Sequence, residues 1–132
     1  MDLRILEIAS NTENNKVLDK HTHKSKNKNP ICGDEMQISI FIKNEKIKDF
    51  GYQCKSCVYC QASVSLLSRY SINKSVNNIK NIISISKNFF EKKESSFPSD
   101  WSSLNKLFDK KNASRKECLL LPFKTLSKAL NL

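Results

Sequence analysis

The stretch Gly51-Tyr-Gln-Cys54-Lys-Ser-Cys57-Val-Tyr-Cys60-Gln-Ala62-Ser63-Val-Ser65 holds three of the chain's five cysteines and constrains the fold more than any other segment. A hairpin-like pattern ends at Phe50 on its left, and a helical pattern begins on its right. Val58, Ala62, Leu66 and Tyr70 recur every four residues, which places them on one helix face. Ser56 has the chemistry of an N-cap, so Cys57 is expected to open the helix. The N–H groups and dipole of a helix start favour a thiolate, and can bring a cysteine pKa from ~8.5 into roughly 3.5–7.5. A thiolate at a strand-to-helix junction serves as a metal ligand or a sulfur nucleophile.

At 132 residues the chain is expected to form one domain, residues 1–132, with helices on a small sheet. No apolar run approaches the ~18 residues of a membrane span. The N-terminus, Met1-Asp2-Leu-Arg-Ile-Leu-Glu7, carries acids in a short amphipathic pattern and reads as neither signal nor transit peptide. Without an export signal the cysteines are expected to stay reduced in the cytoplasm, which favours metal or redox chemistry over disulfides. The net charge of +10 raises the question of nucleic acid. The lysines are spread over the whole chain, however, and no basic stripe alternates with aromatics, so no nucleic-acid partner is expected. The densest basic run, residues 21–28 (HTHKSKNK), reads as a solvated loop, and His21 and His23 within it as surface residues.

Leu3, Leu6 and Ala9, with Ile5 and Ile8 beside them, predict a first helix over residues 2–10. Residues 11–30 lack periodicity and read as loop or a frayed edge strand. Met36, Ile38, Ile40 and Ile42 alternate with polar residues, a strand with one buried face. Asn44-Glu45 is the turn, and residues 46–52 form the return strand of a hairpin. The helix from Cys57 runs to Ser71, a second spans residues 74–92, and residues 94–98 break it. Ser99 or Asp100 caps a short helix with Trp101, Leu104 and Leu107. The last helix is expected to start at residues 117–119, with Leu119, Phe123, Leu126 and Leu130 on one stripe and Pro122 tolerated in its first turn.

The chain has only two glycines, Gly33 and Gly51, and each adjoins a cysteine segment. Pro30 and Pro122 also lie close to cysteines. Scarce turn residues gathered at thiols indicate a backbone shaped around them. Three segments result: Cys32 with Asp34 before the first strand, Cys57 after the second, and Cys118 at the start of the last helix. In a hairpin-plus-helices domain these points can meet at one end. Three thiolates and a carboxylate suit a tetrahedral zinc ion or the anchoring of an iron–sulfur cluster. Cys54-x-x-Cys57-x-x-Cys60 resembles the start of a bacterial ferredoxin run, but Val64 stands where the next cysteine is required. A thioredoxin-like pair needs a parallel βαβ unit, which the hairpin does not supply. Cys54 and Cys60 read as a strand-end and a helix-face filler, with Cys60 the spare ligand. No Ser-His-Asp arrangement or phosphate loop stands out.

Asn29-Pro30-Ile-Cys32-Gly33-Asp34 resembles the NPxCGD signature of the NifU-like (IscU/SufU) iron–sulfur cluster assembly scaffolds. Cys57-Val-Tyr-Cys-Gln-Ala62-Ser63 is similar to that family's second motif, a cysteine followed five residues later by Ala-Ser. Arg115-Lys-Glu-Cys118-Leu-Leu-Leu121-Pro122-Phe123 resembles the third, Arg-x-x-Cys followed by Leu-Pro-aromatic. Order and separations fit over nearly the whole chain. The separation of Cys57 and Cys118 (118 − 57 = 61 positions) resembles the longer SufU-type connection. The Leu-Pro-Pro-Val-Lys chaperone motif of IscU proteins is missing, with Ala113-Ser114-Arg115-Lys116 in its place, and Glu117 replaces their histidine before the third cysteine. These departures argue against a dedicated Hsp70-type chaperone. Cys54 and Ser56 replace the family's usual glycines before the second cysteine.

The resemblance implies an α+β fold, a small antiparallel β-sheet covered by helices, with the metal site at one exposed end. It implies Cys32, Asp34, Cys57 and Cys118 as ligands of a transient [2Fe-2S] or other iron–sulfur cluster. The partners would be a cysteine desulfurase, which supplies sulfur, and recipient iron–sulfur apoproteins. Such a chain is a scaffold rather than an enzyme. The alternative is a zinc-dependent sulfurtransferase of SufU type, in which zinc holds the same four residues and one thiol accepts persulfide sulfur. A third reading is a structural zinc domain, which would be closed and would add roughly 10–16 kcal/mol to folding.

Overall fold

The fold comes from a computed structural model that describes every residue except Met1, Cys32 and residues 93–95. A three-stranded antiparallel sheet is formed by β1 (His23–Lys28), β2 (Glu35–Lys43) and β3 (Lys46–Lys55), in that spatial order. Helices α2 (Val58–Ser71) and α4 (Lys116–Ala129) pack on it, with α1 (Leu3–Ala9) against α2, α3 (Val76–Lys92) against α4, and 3-10 stretches at Ser99–Lys106 and Lys110–Arg115. This is the α+β architecture expected.

The alternation of β2 puts Met36, Ile38 and Ile40 on the inner face, opposite Cys54, Tyr52 and Phe50 of β3. All but Cys54 are buried. The β2–β3 turn uses Asn44 and Glu45 at φ 53° and 62°, the two positive values that a two-residue hairpin turn demands. Gly51 is required by the strap of residues 11–22, which crosses it. A Cβ there would lie 2.6 Å from the Lys16 carbonyl oxygen, closer than atoms pack.

β1 is the basic run read as a solvated loop within a stretch expected to be loop or a frayed edge strand; it is an edge strand. Residues 23–28 pair in register with β2, from His23 opposite Ile40 to Lys28 opposite Glu35. The strand was hidden because it carries no apolar residue. Its half-covered face is His23, Ser25 and Asn27, and the Ser25 hydroxyl donates to the Thr125 carbonyl of α4.

α2 is the hub. Its expected stripe is in fact a buried surface around most of the helix, with Cys60, Ala62, Val64, Leu66 and Leu67 all shielded. Small residues let neighbours approach, and their hydroxyls find carbonyls. Ser63 donates to Leu119 of α4 (2.7 Å), and Ser65 to Asn11 of the strap (2.8 Å). Pro122 lies inside α4, beyond the first turn, where it has no N–H to give the carbonyl of residue 118. The expected short helix is the 3-10 stretch at Ser99–Lys106. Its Trp101 is fully buried with Nε1 donating to Asn78 Oδ1 (3.0 Å).

Candidate metal centre

The antiparallel register sets three chain ends side by side. β1 finishes at Lys28, β2 starts at Glu35 opposite it, and β3 ends at Lys55 beside Glu35. The loop between β1 and β2 is closed by local bonds. Asn29 N–H donates to Asp34 O (2.8 Å), Gly33 N–H to Asn29 O (2.8 Å), and Ile31 N–H to Asn29 Oδ1 (3.0 Å). Gly33 has φ 77°, which an L-residue tolerates poorly. The effect is to turn the chain so that Asp34 is buried, 8% exposed, just before β2.

β3 then hands the chain to α2 at Cys57. The structure corrects the expected cap: Cys57 itself is the N-cap residue, with extended backbone (φ −71°, ψ 168°) and no capping bond from its side chain. Ser56 lies outside the helix; its carbonyl accepts from Gln61 Nε2 (2.9 Å). Cys118 enters from the first turn of α4, 7% exposed. The Arg115 guanidinium lies over the Tyr59 ring at 5.2 Å, linking the start of α4 to the start of α2.

These elements bring Asp34, Cys57 and Cys118 together, with one ligand atom from each lying within 4.8 Å of the others. Asp34 Oδ2 is buried and has no hydrogen-bond partner among the described residues. A buried carboxylate oxygen left without a donor costs free energy unless a cation supplies the missing partner. Two sulfurs and this oxygen are a donor set for zinc or for iron in a cluster. Both cysteines also sit at helix starts, whose positive dipole ends suit a negatively charged thiolate centre. Cys32, the fourth residue named from sequence, lies outside the described residues.

Cys54 and Cys60 are not in this cluster. Burial pushes the thiol of each above its usual value, and nearby negative charge on Asp34 and Cys57 adds to the shift. The nearby Ser56 hydroxyl opposes it. Burial thus disfavours the thiolate form at both positions. His23 pairs opposite Ile40 at the other end of β1, and its Nδ1 contacts Thr22 Oγ1 (2.9 Å), so it is remote from the centre. Sequence reasoning gave no role to Asn29 as loop organiser or to the Arg115–Tyr59 contact. The Asn-Pro pair signals the first; nothing local signals the second.

Comparison with known proteins agrees with this geometry. The profile of the NifU-like N terminal domain matches residues 2–99. The iron-sulfur cluster assembly scaffold protein IscU of Thermotoga maritima is 31% identical over 133 residues, spanning 96% of this chain and 89% of its own length. An uncharacterized protein of Borreliella burgdorferi is 28% identical over 120 residues, spanning 89% of this chain and 81% of its own. Among solved structures, a NifU-like protein (N-terminal) from Brucella abortus superposes with a TM-score of 0.90 at 18% identity, covering 98% of this chain and 91% of that one. FiSufU, a SUF-system protein from Fervidobacterium islandicum, superposes at 0.87 with 23% identity, covering 98% and 96%. The match over most of the chain, with Asp34, Cys57 and Cys118 gathered at one end of the sheet, leads to one conclusion: this chain belongs to the NifU-like N-terminal domain family.

Proposed function

We propose that residues 1–132 form one scaffold domain on which an iron–sulfur cluster is assembled and then passed on, with Cys32, Asp34, Cys57 and Cys118 as its ligands. The observation that carries this reading is the buried Asp34 Oδ2, without a hydrogen-bond partner among the described residues, beside the sulfurs of Cys57 and Cys118. A scaffold must hold its cargo and release it. A carboxylate is a harder and weaker partner for a cluster than a thiolate, so Asp34 is the anchor that opens first. The iron and sulfur are substrates here, not a resident cofactor.

Sulfur arrives from a cysteine desulfurase as a persulfide. A site thiolate attacks the outer sulfur, the S–S bond breaks, and the desulfurase cysteine leaves as its thiolate, so the sulfane sulfur is now carried by the scaffold. Reduction of that sulfur to bridging sulfide takes two electrons from an external reductant. Recipient apoproteins then draw the cluster from the carboxylate side. A reducing compartment such as the cytoplasm keeps the thiols available.

One observation favours a second reading: donor atoms within 4.8 Å of one another also suit a single tetrahedral ion. Zinc would then hold the same residues, and a thiol released from it would accept the persulfide sulfur. Anaerobic purification followed by iron, sulfide and zinc counts tests the two. Iron and sulfide in equal amounts, with sulfide-to-iron absorbance after reconstitution, supports the scaffold. Stoichiometric zinc that survives reconstitution and raises desulfurase turnover supports the sulfurtransferase. Inert zinc with no effect on the desulfurase overturns both.

A further inference from the structure

A second polar hollow, about 300 Å³ in volume, lies where α1, the C-terminal half of α2 and the Ser99–Lys106 stretch meet. Its lining is rich in hydrogen-bond donors. Arg69 Nε donates to the Ser65 carbonyl (3.3 Å), which fixes the guanidinium, and its terminal N–H groups have no partner among the described residues. Tyr70 and Ser103 place their hydroxyl oxygens 3.1 Å apart. That contact uses one of two hydroxyl hydrogens and leaves the other to donate. Asn11 Oδ1 accepts from Glu13 N–H (3.2 Å), leaving the amide hydrogens for the hollow. Lys106 adds a second cation, and neither it nor Arg69 forms an ion pair among the described residues. Glu7 is the one acid in the lining. Arg4 borders the hollow too, but its charge is taken by Asp2, Nη2 to Oδ2 at 3.2 Å.

We propose that this hollow binds a small phosphate-type oxyanion, with Arg69 as its main partner. A phosphate-type oxyanion offers mostly acceptors, which suits the donors of Arg69, Lys106, Asn11 and the Tyr70–Ser103 pair, and a guanidinium meets two of its oxygens at once. The volume is at the lower end of ligand pockets, which suits orthophosphate or the phosphate tail of a nucleotide. Arg69 follows Cys57 by 69 − 57 = 12 positions, about 18 Å along α2, so the hollow is separate from the metal centre. A bound anion would tie α1 and the Ser99–Lys106 stretch to α2.

Isothermal titration and amide chemical-shift mapping with inorganic phosphate, pyrophosphate and ATP, at constant ionic strength, test the proposal. Saturable one-to-one binding is expected, with shifts centred on residues 7, 11, 69, 70, 103 and 106. Arg69→Gln should weaken it by about 10-fold or more, the usual worth of a hydrogen-bonded charge. Lys106→Gln should weaken it by a few-fold, roughly as an exposed charge does, and Lys87→Gln on α3 should leave it unchanged. Tighter binding of ATP than of orthophosphate assigns a nucleotide source; equal or tighter binding of orthophosphate assigns free phosphate. If Arg69→Gln fails to fold, Lys106→Gln and the shift map carry the test. Binding that does not saturate, or that neither variant alters, marks an adventitious ion only and overturns the proposal.

Discussion

Two pairs of cysteines lie within one small region and are treated in opposite ways. Cys57 and Cys118 each stand at the start of a helix and share a cluster with Asp34. Cys54 lies near the end of β3, and Cys60 is fully buried in α2; burial pushes both thiols up. The proposed assignment makes the same side chain a ligand or a filler according to its backbone setting. At a helix start the thiol meets the positive dipole end and a carboxylate; at Cys54 and Cys60 burial is the largest influence on the thiol. Cysteine spacing alone does not separate the two pairs, because Cys54, Cys57 and Cys60 are evenly spaced in sequence.

The sharpest way to break that comparison is substitution at each cysteine. Cys57→Ser and Cys118→Ser should lower metal affinity by about 50-fold or more, since each of four ligands carries a share of a binding free energy on the order of 10 kcal/mol. Cys32→Ser should do the same if the proposed ligand set is right. Cys54→Ser and Cys60→Ala should leave affinity within a few-fold, with Cys60→Ala costing roughly 1–2 kcal/mol of stability for the cavity it leaves. Metal counts and competition with a chelator decide the first point, and urea unfolding the second. Metal loss in Cys54→Ser with retention in Cys57→Ser would reverse the assignment.

A smaller effect sharpens the filler half. In the folded chain Cys54 and Cys60 hold their protons more tightly than the unfolded chain does, and Tyr52 is pushed up to about 12 by burial. With these folded values raised, the stabilisation is complete below the unfolded thiol value of 9.0 and declines as pH rises past it, with tyrosine adding its loss between 10.0 and about 12. Unfolding free energy of the metal-free protein should therefore fall across that alkaline range, and Cys60→Ala should flatten the first part of the fall. An identical slope in the variant would show that Cys60 is not held protonated by the fold.

The contact that joins the two ligand-bearing helices should have the smallest effect. Arg115 over Tyr59 is a partly exposed cation–π pair, worth about 0.5–1 kcal/mol. Tyr59→Leu should loosen metal binding by about two- to five-fold through the relative placement of Cys57 and Cys118. A double variant with Arg115→Ala that merely adds the two single effects would remove the contact from the account.

Much of this centre was legible in the chain. Asp34 follows the turn signal of Gly33 and Cys57 stands where the alternating pattern of β3 gives way to the helical pattern of α2, and such signals survive without tertiary context. β1 was only half legible, as one of two readings (loop or edge strand), since hydrophobic periodicity cannot mark a strand whose covered face is His23, Ser25 and Asn27. Cys57 at the cap, one residue later than Ser56 suggests, reflects β3 running on to Lys55. The buried serines of α2 escaped notice because their partners, Leu119 and Asn11, are more than fifty positions away.

Asp34→Ala tests the central claim most directly, because the comparison rests on a carboxylate that makes two thiols a releasing site. The measurement is the transfer rate of a reconstituted cluster to an apo-ferredoxin, with the decay of the loaded scaffold followed in parallel. Losing the weakest anchor, and with it the route by which an acceptor enters, should give a cluster that persists longer and transfers more slowly. Weaker zinc binding with less sulfur transfer would favour the sulfurtransferase reading instead. If neither retention nor transfer changes, Asp34 serves only the turn after Gly33, and the account of this centre is contradicted.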